Sequence, residues 1–312
     1  MTVNDISAKH SLALAQRQSD AWLNRCSYSG RFAPSPTGPL HFGSLITAVA
    51  SYCDAKAHDG RWIVRIEDTD IPRIYPGSEQ HILQCLDAFE FESDVEIIYQ
   101  RQRLDIYQSV IEQLQQKKLV YACECTRKML GSNHIYVGTC REKHLNFQDQ
   151  AIRLKVTDQP ICFTDRLQGQ HCSNLQYDLG DFVLKRRDGI INYQLAVVVD
   201  DFLQGITHVV RGADLLDNTE RQIWLGQCLG YPQLEYMHLP LAMNDQGQKL
   251  SKQNMAQAID IKHAPELLLQ AILALGQSSV EIDQPHRMLA QAVAQWDIQH
   301  IPKGTEIVGV FK

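Results

Sequence analysis

His41 stands just past a stretch broken by proline and glycine, Arg31-Phe32-Ala33-Pro34-Ser35-Pro36-Thr37-Gly38-Pro39-Leu40, and Gly43 follows two residues on. A short apolar run, a tight turn and then helical spacing place both residues at a helix N-terminus. There the unsatisfied N–H groups and the helix dipole favour an anion. An imidazole can hydrogen-bond a phosphate oxygen, and a glycine lets a flat base approach the backbone. The chemistry suggested is ATP binding. Far downstream, Lys249-Leu250-Ser251-Lys252-Gln253 follows the polar run Asn244-Asp245-Gln246-Gly247-Gln248, a loop carrying two ammonium groups.

Arg31 and Arg211 offer planar forks suited to carboxylates, and Glu67 offers a counter-charge for an ammonium. The competing reading makes Arg31 and Glu67 a structural ion pair. Cys123, Cys125 and Cys140 supply three thiolates within reach of one ion, a set suited to tetrahedral Zn2+. On chemistry alone His134 is the more usual fourth ligand.

These residues need elements to hold them. Leu45, Ala48, Val49 and Tyr52 recur at helical spacing, with Asp59-Gly60 closing that helix, and Trp62-Ile63-Val64-Arg65-Ile66 is a β-type run leading into Glu67-Asp68-Thr69-Asp70. Strand, helix and strand in that order predict a parallel βαβ unit with ligands at the strands' carboxyl ends. Helices follow around Ile82 to Leu86 and Leu104 to Leu114. The stretch from Cys123 to Asp181 reads as irregular, an insertion into the sheet. Phe182 to Leu184, a turn at Asp188-Gly189 and Ile190 to Val199 read as a hairpin ending in Asp200-Asp201. His208 to Val210 reads as a buried strand with Arg211 at its end, and a helix is expected from about Asn218 to Gly230. Pro265 opens another, capped by Gly276, and a last one runs around Arg287 to Trp296.

The 312 residues suffice for one large domain or two modest ones, and 44% apolar with 21% charged residues is ordinary for a soluble globular chain. No window approaches the roughly 18 apolar residues of a membrane span, and no signal peptide opens the chain, so a cytoplasmic protein without membrane contact is expected. Nine cysteines, mostly single in apolar segments as at Cys53, Cys85 and Cys228, read as reduced buried thiols. A net charge of -6 argues against nucleic acid, yet Lys117 to Lys155 holds eight basic residues against three acids. A segment at +5 on a body at -11 is the pattern of a basic RNA-facing patch.

Taken in order, RFAPSPTGPLHFGS from Arg31 to Ser44, Arg65-Ile66-Glu67-Asp68-Thr69-Asp70, VVRGADLL from Val209 and the lysine run from Lys249 resemble class I aminoacyl-tRNA synthetases of the glutamyl type. The resemblance implies an α/β fold built on a Rossmann-type doubly wound parallel sheet, with a zinc-bearing α+β insertion and a short helical C-terminal part. The expected division is an N-terminal extension at 1–29, a split catalytic domain at 30–116 and 182–254, a zinc-bearing tRNA-contacting insertion at 117–181, and a helical segment at 255–312. The family pattern implies glutamate binding by Arg31, Phe32, Ala33, Pro34, Ser35, Glu67, Tyr193 and Arg211. It implies ATP, with Mg2+, on His41, Gly43, Lys249 and Lys252, with His41 and Lys252 catalytic. The family resemblance, in the pattern C-x-C-x10-Y-x3-C, implies Tyr136 beside Cys123, Cys125 and Cys140 around one structural zinc, with His134 as the alternative. Two guanidiniums about one small substrate favour glutamate over glutamine, since an amide cannot repay their desolvation.

Ordinary glutamyl-tRNA synthetases follow the lysine run with a large helical anticodon-reading domain, but 59 residues remain after Gln253. The likeness is therefore closest to the shortened relatives, the glutamyl-Q tRNA(Asp) synthetases. That implies activation of glutamate without tRNA, then esterification to the queuosine at the first anticodon position of tRNA(Asp), with no obligatory protein partner. Arg127, Lys128 and Arg141 are the expected phosphate contacts. The competing functions are a truncated glutamyl-tRNA synthetase charging a 3′ end, a small-molecule nucleotidylyltransferase, and a non-catalytic zinc and RNA-binding protein. Ser44 stands where the class often has histidine, and Leu250 and Gln253 replace methionine and serine, leaving both lysines in place.

Overall fold

The computed structural model describes residues 28–130, 135–243 and 258–308. The first half contains β1 (Ser29–Phe32), α1 (Phe42–Ala57), β2 (Arg61–Ile66), α2 (Ser78–Ala88), β3 (Ile98–Tyr99), α3 (Leu104–Gln116) and β4 (Val120–Cys123). Next come β5 (Ala151–Leu154), β6 (Pro160–Asp165), β7 (Gly169–Asn174), β8 (Phe182–Lys185), α4 (Tyr193–Leu203) and β9 (His208–Gly212). The chain continues through α5 (Thr219–Leu229), β10 (Glu235–Leu239), β11 (Leu241–Met243), α6 (Ala264–Ala274), α7 (Pro285–Ala294) and β12 (Glu306–Val308).

β1, β2 and β3 pair in parallel, as do β9, β10 and β6, with β7 antiparallel on the outer edge. The two rows meet where Thr207 N–H donates to Ser29 O at 2.9 Å. The fold is thus mixed α/β with parallel sheet, as expected. The period of two along each strand sorts its side chains. Trp62, Val64 and Ile66 join Phe32 and Val210 in a core with α1, α2, α6 and α7, while Ile63 and Val209 pack with α3, α4 and α5. Arg31, Arg65 and Arg211 share the second face, toward α4. Alternation alone therefore points three guanidiniums the same way.

Several elements depart from the sequence reading. The second half of the expected hairpin is α4: after a single bridge between Lys185 and Ile191, Asn192 caps a helix by accepting from Gln194 N–H at 3.0 Å. Val197 to Val199 suggest a strand by β-branching, but Leu195, Ala196, Val199 and Leu203 are buried along one helical face. The region from Cys123 to Asp181 is not irregular throughout. β4, β5 and β8 form their own antiparallel sheet, and the β6–β7 hairpin adds to the main sheet through β10. The thiols also divide. Cys53 and Cys85 are buried and free, Cys228 is half-buried, but Cys162 and Cys172 are joined by a disulfide, because they face one another across β6 and β7.

The part after residue 258 packs on α1 and adds more than helices, since β12 pairs in parallel with β11. Among the described residues no helix is long and apolar enough to cross a membrane.

Candidate active site

His41 caps α1: its Nδ1 accepts from Ser44 N–H at 3.3 Å. A neutral imidazole that accepts at Nδ1 carries its proton on Nε2, so the ring presents an N–H donor suited to a phosphate oxygen. The ring lines a cleft of about 800 Å3 at the carboxyl ends of β1, β2 and β9. Arg31, Phe32, Ala33, Pro34, Ser35, Glu67, Tyr193 and Arg211 line that same cleft, so the structure gathers all of the expected amino-acid residues around one space. Gly43 lines an adjoining recess of about 150 Å3 with Thr47, Gly212 and Asp214. The two spaces share His41, Ser44, Thr47, Gly212 and Asp214 and join at the start of α1.

The turns above the strands are tied together. Glu67 N–H donates to Pro34 O at 3.0 Å and Tyr75 N–H to Pro36 O at 2.9 Å. Below them lies a buried charge network. Asp201 Oδ1 accepts from Arg31 Nε at 3.2 Å and from Arg65 at 2.8 Å, and Arg65 also reaches Glu67 at 3.2 Å and Gln204 at 2.8 Å. Arg31 thus pairs with Asp201 rather than with Glu67. Burial pushes Asp201 up, but the two guanidiniums outweigh it and hold its carboxyl below the ordinary value. Glu67 goes the other way: burial wins over Arg65 and Arg31, and its carboxyl lies above the ordinary value. Asp200, next to Asp201 in the chain, faces away, holding Tyr107 at 2.6 Å and Arg103 at 2.8 Å, and so fixes α4 against α3.

Arg211 is gripped from several sides. Its Nε donates to His238 Nε2 at 2.9 Å, one terminal nitrogen to Gln222 at 2.8 Å and more loosely to Tyr193 at 3.3 Å, and the other to Thr219 at 2.9 Å. Asp201, His238, Gln222 and Thr219 were not found in the sequence. In the sequence Asp201 falls at the end of the expected hairpin, and His238 stands inside the short run Tyr236 to Leu239 with no motif to mark it.

Lys249, Lys252 and His134 lie outside the described residues. The chain leaves at Met243, the end of β11, and is next described at Ala258, which bridges His41 in antiparallel fashion.

The cysteine cluster sits apart, on the β4–β5–β8 sheet. The sulfurs of Cys123, Cys125 and Cys140 lie within 4.8 Å of one another. The Tyr136 hydroxyl is 3.4 Å from Cys123 Sγ and 3.5 Å from Cys125 Sγ. Four ligands held at about 2.3 Å around a tetrahedral ion would be about 3.8 Å apart. The donor set and its spacing therefore fit Zn2+, and the Tyr136 hydroxyl lies beside two of the three sulfurs. Arg153 lies over the Tyr136 ring at 3.9 Å and donates to Cys123 Sγ at 3.3 Å, a counter-charge for an electron-rich cluster. Arg141 is bound to buried Asp181 through Nε at 2.7 Å, with its side chain partly exposed. Lys128 is exposed.

The family model for tRNA synthetases class I (E and Q), catalytic domain, matches residues 28–290, so the chain belongs to the class I synthetases of that type. It is 71% identical over 285 residues to a protein named glutamyl-Q tRNA(Asp) synthetase from Acinetobacter baylyi, covering 91% of this chain and 98% of that relative. It is 49% identical to the protein of that name from Neisseria meningitidis MC58, covering 88% and 98%. Within the class, it is therefore a member of the glutamyl-Q tRNA(Asp) synthetase family. A solved glutamate tRNA ligase from Elizabethkingia meningosepticum, in complex with its amino acid, superposes with a TM-score of 0.76 at 27% identity. The match covers 89% of this chain and 66% of that one, so the chain spans about two thirds of the solved ligase.

Proposed function

We propose that this chain is a ligase that activates L-glutamate with ATP, without tRNA, and then transfers the glutamyl group to queuosine at the first anticodon position of tRNA(Asp). The observation that carries the activation step is the single cleft in which Arg31, Glu67, Tyr193 and Arg211 lie beside His41 at the start of α1. Glu67 would take the substrate ammonium, and the arginines its carboxylates. An α-carboxylate oxygen then attacks the α-phosphorus of ATP, the bond to the β-phosphate bridging oxygen breaks, and pyrophosphate leaves. No side-chain nucleophile is required. His41 Nε2–H and the helix N-terminus stabilise charge on the phosphate oxygens, and Lys252, with Lys249, is assigned to the triphosphate. Mg2+ enters with ATP as part of the substrate.

In the second step a cyclopentenediol hydroxyl of queuosine attacks the glutamyl carbonyl, and AMP leaves. The acceptor is drawn from the names of relatives that this chain covers almost end to end. We assign the β4–β5–β8 unit, with zinc on Cys123, Cys125, Tyr136 and Cys140, to a structural role beside the tRNA. His134 is the alternative to Tyr136.

The test is transfer of radiolabelled glutamate to tRNA(Asp) prepared with and without queuosine, alongside tRNA(Glu). Labelling confined to queuosine-bearing tRNA(Asp) is expected. Labelling of the tRNA(Glu) 3′ end would overturn the acceptor assignment and leave activation standing.

A further inference from the structure

Arg211 can meet a carboxylate only if its fork points into the cleft, and what aims it lies on the neighbouring strand. His238 is the register partner of Arg211 across β10 and β9, so the period of two sets both side chains on one face. His238 is fully buried, and its Nε2 lies 2.9 Å from Arg211 Nε. A guanidinium is always a donor, so this imidazole nitrogen must be an acceptor. The proton therefore sits on Nδ1, which donates to Asp165 Oδ2 at 2.6 Å. Asp165 is itself held at the end of β6, accepting from the N–H groups of Leu167 and Gln168 at 2.9 Å.

We propose that the Asp165–His238 pair is the positioning device of the amino-acid pocket, locking Arg211 in the orientation that receives a substrate carboxylate. This rests on the assignment of Arg211 to glutamate. The pair works only with His238 neutral, because an imidazolium would turn a second donor toward Arg211. The groups facing the ring agree: Arg211 from β9 and His171 from β7 oppose protonation, as does burial, while Asp165 from β6 favours it, and Tyr236 lies beside it on β10. The balance holds His238 below its ordinary value. Asp165, lifted by burial but held down by His238 and the backbone N–H groups, stays ionised.

The test is glutamate-dependent pyrophosphate exchange by the full chain. In His238→Gln the amide oxygen can still accept from Arg211, whereas in His238→Asn it is too short to reach. The expected result is a KM for glutamate raised about tenfold or more in H238N, with kcat and the KM for ATP changed by less than about threefold. H238Q should remain within about threefold of the wild type. If H238N leaves the glutamate KM unchanged while Arg211→Gln raises it, the positioning role is wrong and the Arg211 assignment stands. If R211Q also leaves it unchanged, the assignment itself fails. Should the variants not fold, 15N-histidine NMR of the wild type decides: a neutral Nδ1–H tautomer at about pH 7 is expected, and an Nε2–H tautomer or an imidazolium would overturn the proposal.

Discussion

Asp201 Oδ1 lies 3.2 Å from Nε of Arg31, and both side chains are buried. Because the same oxygen also receives Arg65, one carboxylate from α4 sets two strands' guanidiniums. Asp201→Ala would leave buried positive charge unmatched and is expected to lower the unfolding free energy by about 3–5 kcal/mol. Urea denaturation reads this directly. A loss under about 1 kcal/mol would mean that Glu67 alone balances the arginines.

Glu67 sets the acid limb of activation. In its proposed role the ionised form meets the substrate ammonium, and burial holds its carboxyl above the ordinary 4.5. The kcat/KM for glutamate should therefore fall as pH drops through a value above 4.5, and Glu67→Gln should abolish that limb together with most activity. Stability carries the opposite sign. The folded state binds this proton more tightly than the unfolded chain, so the contribution is present at low pH and declines as pH rises from the unfolded to the folded value. A wild-type limb below 4.5 would refute the assignment.

The cysteine cluster should hold about one zinc per chain by elemental analysis, lost in Cys125→Ser and retained with weaker affinity in Tyr136→Phe. Because the cluster lies on a sheet separate from the cleft, metal depletion should spare glutamate-dependent pyrophosphate exchange and impair transfer to tRNA. Equal loss of both activities would place zinc in the folding of the whole chain.

Gly180 supports the same cluster from behind. Its φ is +71°, and a Cβ there would come within 2.3 Å of the Tyr136 backbone, to which it is bridged. Gly180→Ala is expected to cost at least about 1–2 kcal/mol from the left-handed backbone alone, and to weaken zinc retention by displacing Tyr136. Thermal melting and metal content measure the two effects. A variant with unchanged zinc affinity would show that Tyr136 is not held through this contact.

The residues that line the cleft are legible in the sequence because they sit at strand ends and a helix N-terminus, where composition and turn signals are strong. Glu67 and Arg211 each close an apolar run, Arg31 opens the stretch that breaks at Pro34, and His41 follows a proline-rich turn. Their supports were out of reach. Asp201 and His238 act across 170 and 27 residues of chain, respectively, and their roles arise only when strand alternation puts them against an arginine. The hairpin read at Ile190 failed for a local reason, since three consecutive valines mimic a strand while Asn192 supplies a helix cap. The β6–β7 hairpin escapes a reading of the sequence because β7 is polar and has no buried residue, and β6 gains its place in the main sheet from β10.

The backbone bonds from Glu67 to Pro34 and from Tyr75 to Pro36 join the turns after β1 and β2 into one jaw. Arg211, tethered through His238, forms the other, and α4 braces the two with Asp201 and Tyr193. Jaws fixed at a set gap act as a calliper: they measure the ligand instead of moulding to it. On the proposed assignment of glutamate to this cleft, an amino acid one methylene shorter is expected to fit the frame less well and to be activated more weakly.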